Sequence, residues 1–238
     1  MKIRFTTPFV HAALAVALAL PALASAQEAV IRKNLTARAP NLAQIDEISK
    51  TPMPGLYEVR MGTDIFYTDA EGNFVLHGEL VDTRAHKNLT EERVNKLTAI
   101  DFGSLPVKNA FTIVRGNGQR KLAVFEDPNC GYCKRFEKDL LKVDNITIQL
   151  FLIPILGEDS KTKSRQIWCS DDKAKAWTDW MVRGIAPKGN AVCNTEALTD
   201  NLAFARKYRI TGTPTLVFAD GARVPGAIDA QQVEEQLK

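Results

Sequence analysis

Two cysteines with two residues between them, Cys130-Gly131-Tyr132-Cys133, pose the first chemical question in this sequence. Such a pair can hold a metal, anchor a haem, or make and break disulfides. Covalent haem attachment needs a histidine directly after the second cysteine, and Lys134 stands there instead. A structural zinc needs four ligands at suitable spacing. The other cysteines, Cys169 and Cys193, do not form a second close pair, and His11, His77 and His86 all lie far upstream. No metal and no cofactor is therefore expected. The same scarcity of histidine argues against a Cys–His hydrolase.

Thiol–disulfide exchange remains, and its requirements are met in order. The attacking group must be a thiolate, and a helix N-terminus favours one through its free N–H groups and the positive end of its dipole. Cys130 stands where a strand gives way to a helix, which makes it the expected nucleophile. Cys133, one turn later, is the expected resolving thiol. A purely static disulfide is a poor alternative, because closing so short a loop removes little unfolded-chain entropy. Cys169 and Cys193 are separated by 23 residues. Closing a loop of that length contributes roughly 3 kcal/mol in the chain-entropy model, so these two are expected to form a structural disulfide.

The elements that must position the pair are legible on either side. KLAVFE (121–126) reads as a strand, KRFEKDLLKV (134–143) as a helix, and ITIQLFLIPI (146–155) as a strand apolar enough to be buried on both faces. That order is a βαβ unit. FTIVR (111–115) and the turn at Gly116-Asn117-Gly118 predict a hairpin with 121–126. From about 156 to 200 the sequence turns charged and helical, with Trp168, Trp177 and Trp180. A helix (196–210), a strand (213–221) and a final helix (229–237) follow. The expectation is an α/β domain carrying a helical insertion.

The N-terminal part reads differently. Lys2 and Arg4 precede an apolar run from about Phe9 to Leu23, and Ala24 and Ala26 fit a small-residue cleavage pattern. An export signal over 1–26 is expected, with cleavage after Ala26. Removing 26 residues from 238 leaves 212, and losing Lys2 and Arg4 takes the formal charge from +3 to +1. A near-neutral chain with interspersed signs offers nothing to nucleic acid. Residues 28–50 suggest a helix, broken near Pro40 and then resumed. Thr51–Gly55 is a breaker. LYEVRM (56–61), DIFYTD (64–69) and NFVLHGELVD (73–82) suggest three strands. A module this small has few large apolar residues for a private core, which points to packing against a second copy. LTEERVNKLTAIDF (89–102) is helical, capped by Asn88 or Thr90, and sits as a linker between the two strand-rich regions.

These features together, with Gly212-Thr213-Pro214-Thr215 near the C-terminus, resemble the DsbC family of periplasmic disulfide isomerases along nearly the whole chain after the signal. The resemblance implies a thioredoxin-like domain with a helical insertion at about 156–200, spanning 104–238. It implies a small α+β dimerisation domain (27–87) and a linker helix (88–103) before it. It further implies a homodimer in the periplasm, acting on misfolded or mis-oxidised exported proteins and kept reduced by a membrane-embedded thiol reductase. Thr213-Pro214 would be a cis peptide lying against the Gly131-Tyr132 loop, presenting backbone to an extended substrate. The related DsbG reductase/chaperones typically carry proline where this chain has Gly131. The oxidase DsbA and thioredoxins carry a buried acid six residues before the first cysteine. Here that position is Val124 and the nearest acids are Glu126 and Asp127, which leaves proton handling at Cys133 open.

Overall fold

Ile31 and Leu35 lie one helical turn apart on helix α1 (Ala19–Arg38) and are buried together. They belong to the first of two units into which the chain divides, between Leu97 and Thr98. The structure, a computed structural model, describes residues 19–42, 44–188 and 192–238. Most of the expected leader lies outside these, and the expected cleavage point after Ala26 falls within α1. Among the described residues no helix is long and apolar enough to cross a membrane.

In the first unit α1 covers a four-stranded antiparallel sheet of β1 (Glu47–Lys50), β2 (Leu56–Met61), β3 (Asp64–Asp69) and β4 (Val75–Leu76), in that order. Ile48 pairs with Val59 and Val59 with Phe66, so one buried row crosses three strands and meets Ile31 and Leu35. Burying each such side chain is worth roughly 1.5–3 kcal/mol. The turn at Gly72, with φ of 66°, lies so close to α1 that a Cβ would stand 3.2 Å from the Ile31 carbonyl oxygen.

Two expectations are corrected here. Residues 47–50 form strand β1, not resumed helix. The three-residue spacing of Ile45 and Ile48 imitates a helix, but pairing with β2 satisfies the backbone and buries Ile48. The stretch 73–82 is not one strand: it holds β4 and β5 (Val81–Asp82) on either side of Gly78, and β5 pairs with β6 (Lys87–Asn88). Helix α2 (Leu89–Thr98) follows, with Asn88 accepting from the Glu91 N–H at 3.1 Å. Arg93 of α2 reaches Glu47 at 2.7 Å and Glu58 at 3.0 Å.

The second unit is built on a five-stranded sheet. Its elements in chain order are β7 (Phe111–Arg115), β8 (Arg120–Glu126), α3 (Gly131–Leu140), β9 (Ile146–Leu152), α4 (Glu158–Trp168), α5 (Lys173–Arg183), α6 (Glu196–Lys207), β10 (Thr215–Phe218), β11 (Arg223–Pro225) and α7 (Ala230–Gln236). The strand order is β11-β10-β8-β9-β7, with β8 and β9 parallel and the other pairs antiparallel. The expected β7–β8 hairpin is therefore corrected: β9 lies between the two. Ile146–Leu152 is apolar enough for a central position, and the crossover through α3 lays it parallel to β8. The Gly116–Gly118 turn instead wraps the start of β9. Asn117 N–H donates to Asn145 Oδ1 at 3.0 Å, and a Cβ on Gly116 would collide with that oxygen.

Alternation along β8 sorts the core. Leu122 and Val124 face α3 and α7 with Phe136, Leu140 and Val233. Ala123 and Phe125 face α6 and the 100–105 segment with Ile100, Phe151 and Ala205. A third apolar cluster, around Trp177 and Met181 of α5 and Ile167 of α4, takes in both Cys130 and Cys133. The insertion thus packs directly on the cysteine pair.

Candidate active site

The strand β8 ends at Glu126, and Asp127-Pro128-Asn129 turns the chain into α3. Cys130 is the N-cap of that helix, and its Sγ accepts the Cys133 N–H at 3.1 Å. Both cysteines are free thiols. Cys130 is 4 % exposed and Cys133 fully buried. Across from them Thr213-Pro214 is a cis peptide, and the Cys130 thiol donates to the Thr213 carbonyl oxygen at 3.2 Å. Gly131 has open space around it, and the Tyr132 ring is 64 % exposed with the Arg135 guanidinium over it at 5.2 Å. The chain thus brings Cys130, Cys133, Gly131, Tyr132, Thr213 and Pro214 to one place.

The two thiols are electrostatically unlike. Hydrogen bonding from the Cys133 thiol, then from Thr213 and the N–H groups of Cys133 and Tyr132, outweighs burial and lowers the Cys130 pKa from 9.0 to about 6. Burial above all pushes Cys133 far the other way, with the Cys130 thiolate and the charge of Glu126 adding to it. One sulfur is therefore a thiolate at neutral pH and its neighbour a thiol.

Asp127 anchors the turn. It is fully buried; Oδ1 accepts the Asn129 N–H at 2.8 Å and the Ser160 hydroxyl at 2.7 Å, and Oδ2 accepts the N–H groups of Ile155 and Leu156 at 2.8 and 2.9 Å. The exposed Ile155 and Leu156 are so fixed beside the cysteine turn. Trp180 of α5 donates its indole N–H to the Pro128 carbonyl at 2.5 Å, with Lys134 Nζ 3.9 Å from the ring centroid.

Cys169 and Cys193 are joined in a disulfide with Cα atoms 5.7 Å apart, within the insertion. Among the described residues no three His, Cys, Asp or Glu side chains gather as a metal site. Sequence reasoning noted Glu126 and Asp127 but missed Ser160, Glu137, Trp177 and Trp180 as neighbours of the pair. For Glu137 a signal existed: it stands four residues after Cys133, on the same helix face.

Residues 22–91 match the disulfide bond isomerase protein N-terminal domain, and residues 107–238 a thioredoxin-like domain. The chain is 45% identical over 193 residues to the probable thiol:disulfide interchange protein DsbC of Bordetella parapertussis, covering 81% of this chain and 68% of that protein. It is 26% identical over 226 residues to the thiol:disulfide interchange protein DsbC of Escherichia coli, covering 92% and 91%. A crystal structure of the disulfide interchange protein from Neisseria gonorrhoeae superposes with a TM-score of 0.53 at 39% identity, covering 55% of this chain and 94% of that one. The chain belongs to the DsbC family, and it is a thiol–disulfide oxidoreductase of the disulfide-isomerase type.

Proposed function

We propose that this chain is a periplasmic protein disulfide isomerase and reductase that works as a homodimer on exported proteins. The Cys130 thiolate attacks one sulfur of a wrong disulfide, a mixed disulfide forms, and the other substrate sulfur leaves as a thiolate. A second substrate thiolate can then attack the mixed disulfide and free Cys130, which is isomerisation without net electron transfer. Alternatively Cys133 attacks Cys130, closing the Cys130–Cys133 disulfide and leaving the substrate reduced by two electrons. A membrane-embedded thiol reductase restores the dithiol.

The observation that carries the reading is the unequal pair: Cys130 at a helix start, its Sγ accepting the Cys133 N–H and its pKa lowered to about 6, beside a fully buried Cys133 whose pKa burial raises. Exposed Tyr132, Ile155 and Leu156 around it supply apolar surface for unfolded substrate and support chaperone-like holding. The Thr213-Pro214 backbone pairs with an extended substrate segment, and Gly131 leaves the approach to Cys130 open. The Cys169–Cys193 disulfide is structural. Residues 1–26 are the export signal, 27–87 the dimerisation domain, 88–103 the linker helix and 104–238 the catalytic domain. Exposed Met53, Phe74 and Leu76 on the first unit support a face for the second copy.

Reactivation of a scrambled, fully oxidised multi-disulfide protein by catalytic amounts of the chain, with a trace of reductant, tests this. Recovery that vanishes in Cys130→Ser is the expected result. No recovery, with rapid oxidation of reduced substrate by the oxidised protein, would make the chain an oxidase.

A further inference from the structure

Helix α3 is unbalanced in charge where it meets the cysteine turn. Its first turn carries no acid, and Lys134, Arg135 and Lys138 follow Cys133 in close order. Lys134 and Lys138 stand four residues apart, a spacing at which like charges destabilise a helix. The acids that follow on the helix do not offset them. Glu137 is buried, with its Oε1 accepting the Trp177 indole N–H at 2.9 Å, and Asp139 pairs with Lys142 at 2.6 Å. Lys134 and Arg135 ion-pair with no carboxylate among the described residues.

What holds these cations is aromatic. Lys134 Nζ lies 3.9 Å from the centroid of the Trp180 ring, and Lys163 Nζ of α4 lies 5.0 Å from the same centroid. The Arg135 guanidinium sits on the Tyr132 ring in the same way. The Trp180 indole N–H grips the carbonyl of Pro128, two residues before Cys130, so the ring and its two ammonium groups are tied to the cysteine turn. Lys163 is also paired with Asp159, which accepts the Asn129 side-chain amide at 2.8 Å. That carboxylate offsets one cation, while Lys134 and Arg135 keep their charge. Burial, then the charges of Lys163 and Lys138, lower the Lys134 pKa. An aromatic face orients a cation without neutralising it, so the positive field stays available to an incoming anion.

Attack by a thiolate gives that field a use. Thiolate and carboxylate repel, so a disulfide flanked by acidic residues is the one a bare thiolate attacks most reluctantly. We propose that Lys134, seated on Trp180 beside Lys163, is a specificity-determining residue that, with Arg135, directs Cys130 to disulfides whose cysteines are flanked by aspartate or glutamate. The substrate class is an acidic peptide disulfide. The helical insertion takes part directly, because it supplies both the aromatic seat and the second ammonium group. The inference rests on Cys130 as the attacking thiol, as proposed above.

The test is the rate at which the full chain, reduced, cleaves short symmetrical peptide disulfides with glutamate, glutamine or lysine on both sides of the cysteine. Each rate is divided by that of β-mercaptoethanol with the same peptide, which removes the effect of flanking charge on the leaving thiolate. In low salt the glutamate peptide is expected to exceed the lysine peptide on the order of 10-fold. The preference is expected to shrink toward parity at about 1 M salt, where the Debye length is about 3 Å. Lys134→Gln is expected to lose most of the preference, Arg135→Gln part of it, and Lys134→Arg to retain it. No preference in the native chain, or one indifferent to salt, overturns the proposal. So does a preference undiminished in Lys134→Gln, or a fall there equal for all the peptides, which would place Lys134 in the reactivity of Cys130 rather than in selection. Cleavage of none of the peptides overturns the assignment of Cys130 as attacking thiol, and the inference with it. Should Lys134→Gln fail to fold, the salt titration of the native chain reads the same point.

Discussion

Asp127 and Ser160 meet at 2.7 Å across 33 residues of chain, joining the end of β8 to the first turn of α4. The same carboxyl holds the N–H groups of Ile155 and Leu156, so one side chain fixes the cysteine turn and the apolar loop beside it together. Asp127→Ala leaves the buried Ser160 hydroxyl and these N–H groups without this acceptor. A loss of about 2–4 kcal/mol in urea unfolding is expected, with turnover of a protein substrate falling more than alkylation of Cys130. An unchanged unfolding midpoint would contradict this account of the turn.

Alkylation of the reduced chain by iodoacetamide is expected to rise with pH with a midpoint at about 6 and to level off above it. Because the Cys133 thiol is the largest contributor, Cys133→Ala is expected to move that midpoint upward. The sign for stability follows from the same shift. A lowered folded-state pKa stabilises the reduced protein fully above 9.0, and that contribution is lost as pH falls through about 6.

Glu126 has the opposite sign. Its raised folded-state pKa costs stability as pH climbs above 4.5, because the folded chain must then give up a proton the unfolded chain has already lost. Glu126→Gln is therefore expected to gain in stability relative to the native chain as pH rises. Denaturant midpoints at several pH values check this, and a difference independent of pH counts against it.

Replacing both Cys169 and Cys193 by serine opens the one disulfide observed among the described residues. The expected cost is about 3 kcal/mol from the freed loop, with the Cys130 alkylation rate retained. Loss of that alkylation behaviour would mean the insertion disulfide governs the cysteine turn as well as stability.

Phe74 and Leu76 stand exposed at 75 % and 56 % on the first unit. Introducing glutamate at both is expected to halve the mass seen by sedimentation, since charge on an apolar face opposes its burial. A mass unchanged from the native chain would place the dimer contact elsewhere.

Much of the βαβ unit around Cys130 was determined by the sequence alone. A buried-strand pattern, a cysteine pair at a helix start and a second apolar strand are local signals, each readable within about ten residues. The Asn88 cap of α2 is of the same kind. What eluded sequence reading is non-local. Residues 47–50 became a strand only because β2 offers Val59 opposite Ile48, and β7 left its adjacent strand because β9 has the more apolar surface to bury between them. The partners of the cysteine turn come from 28 to 52 residues away, in Ile155, Ser160 and Trp180. Glu126 and Glu137 read in sequence as two ordinary acids on a strand end and a helix. Tertiary packing alone, by closing β8, α3 and the Trp177 helix over them and excluding water, buried both, and that burial holds the Glu126 carboxyl well above the usual carboxylate range.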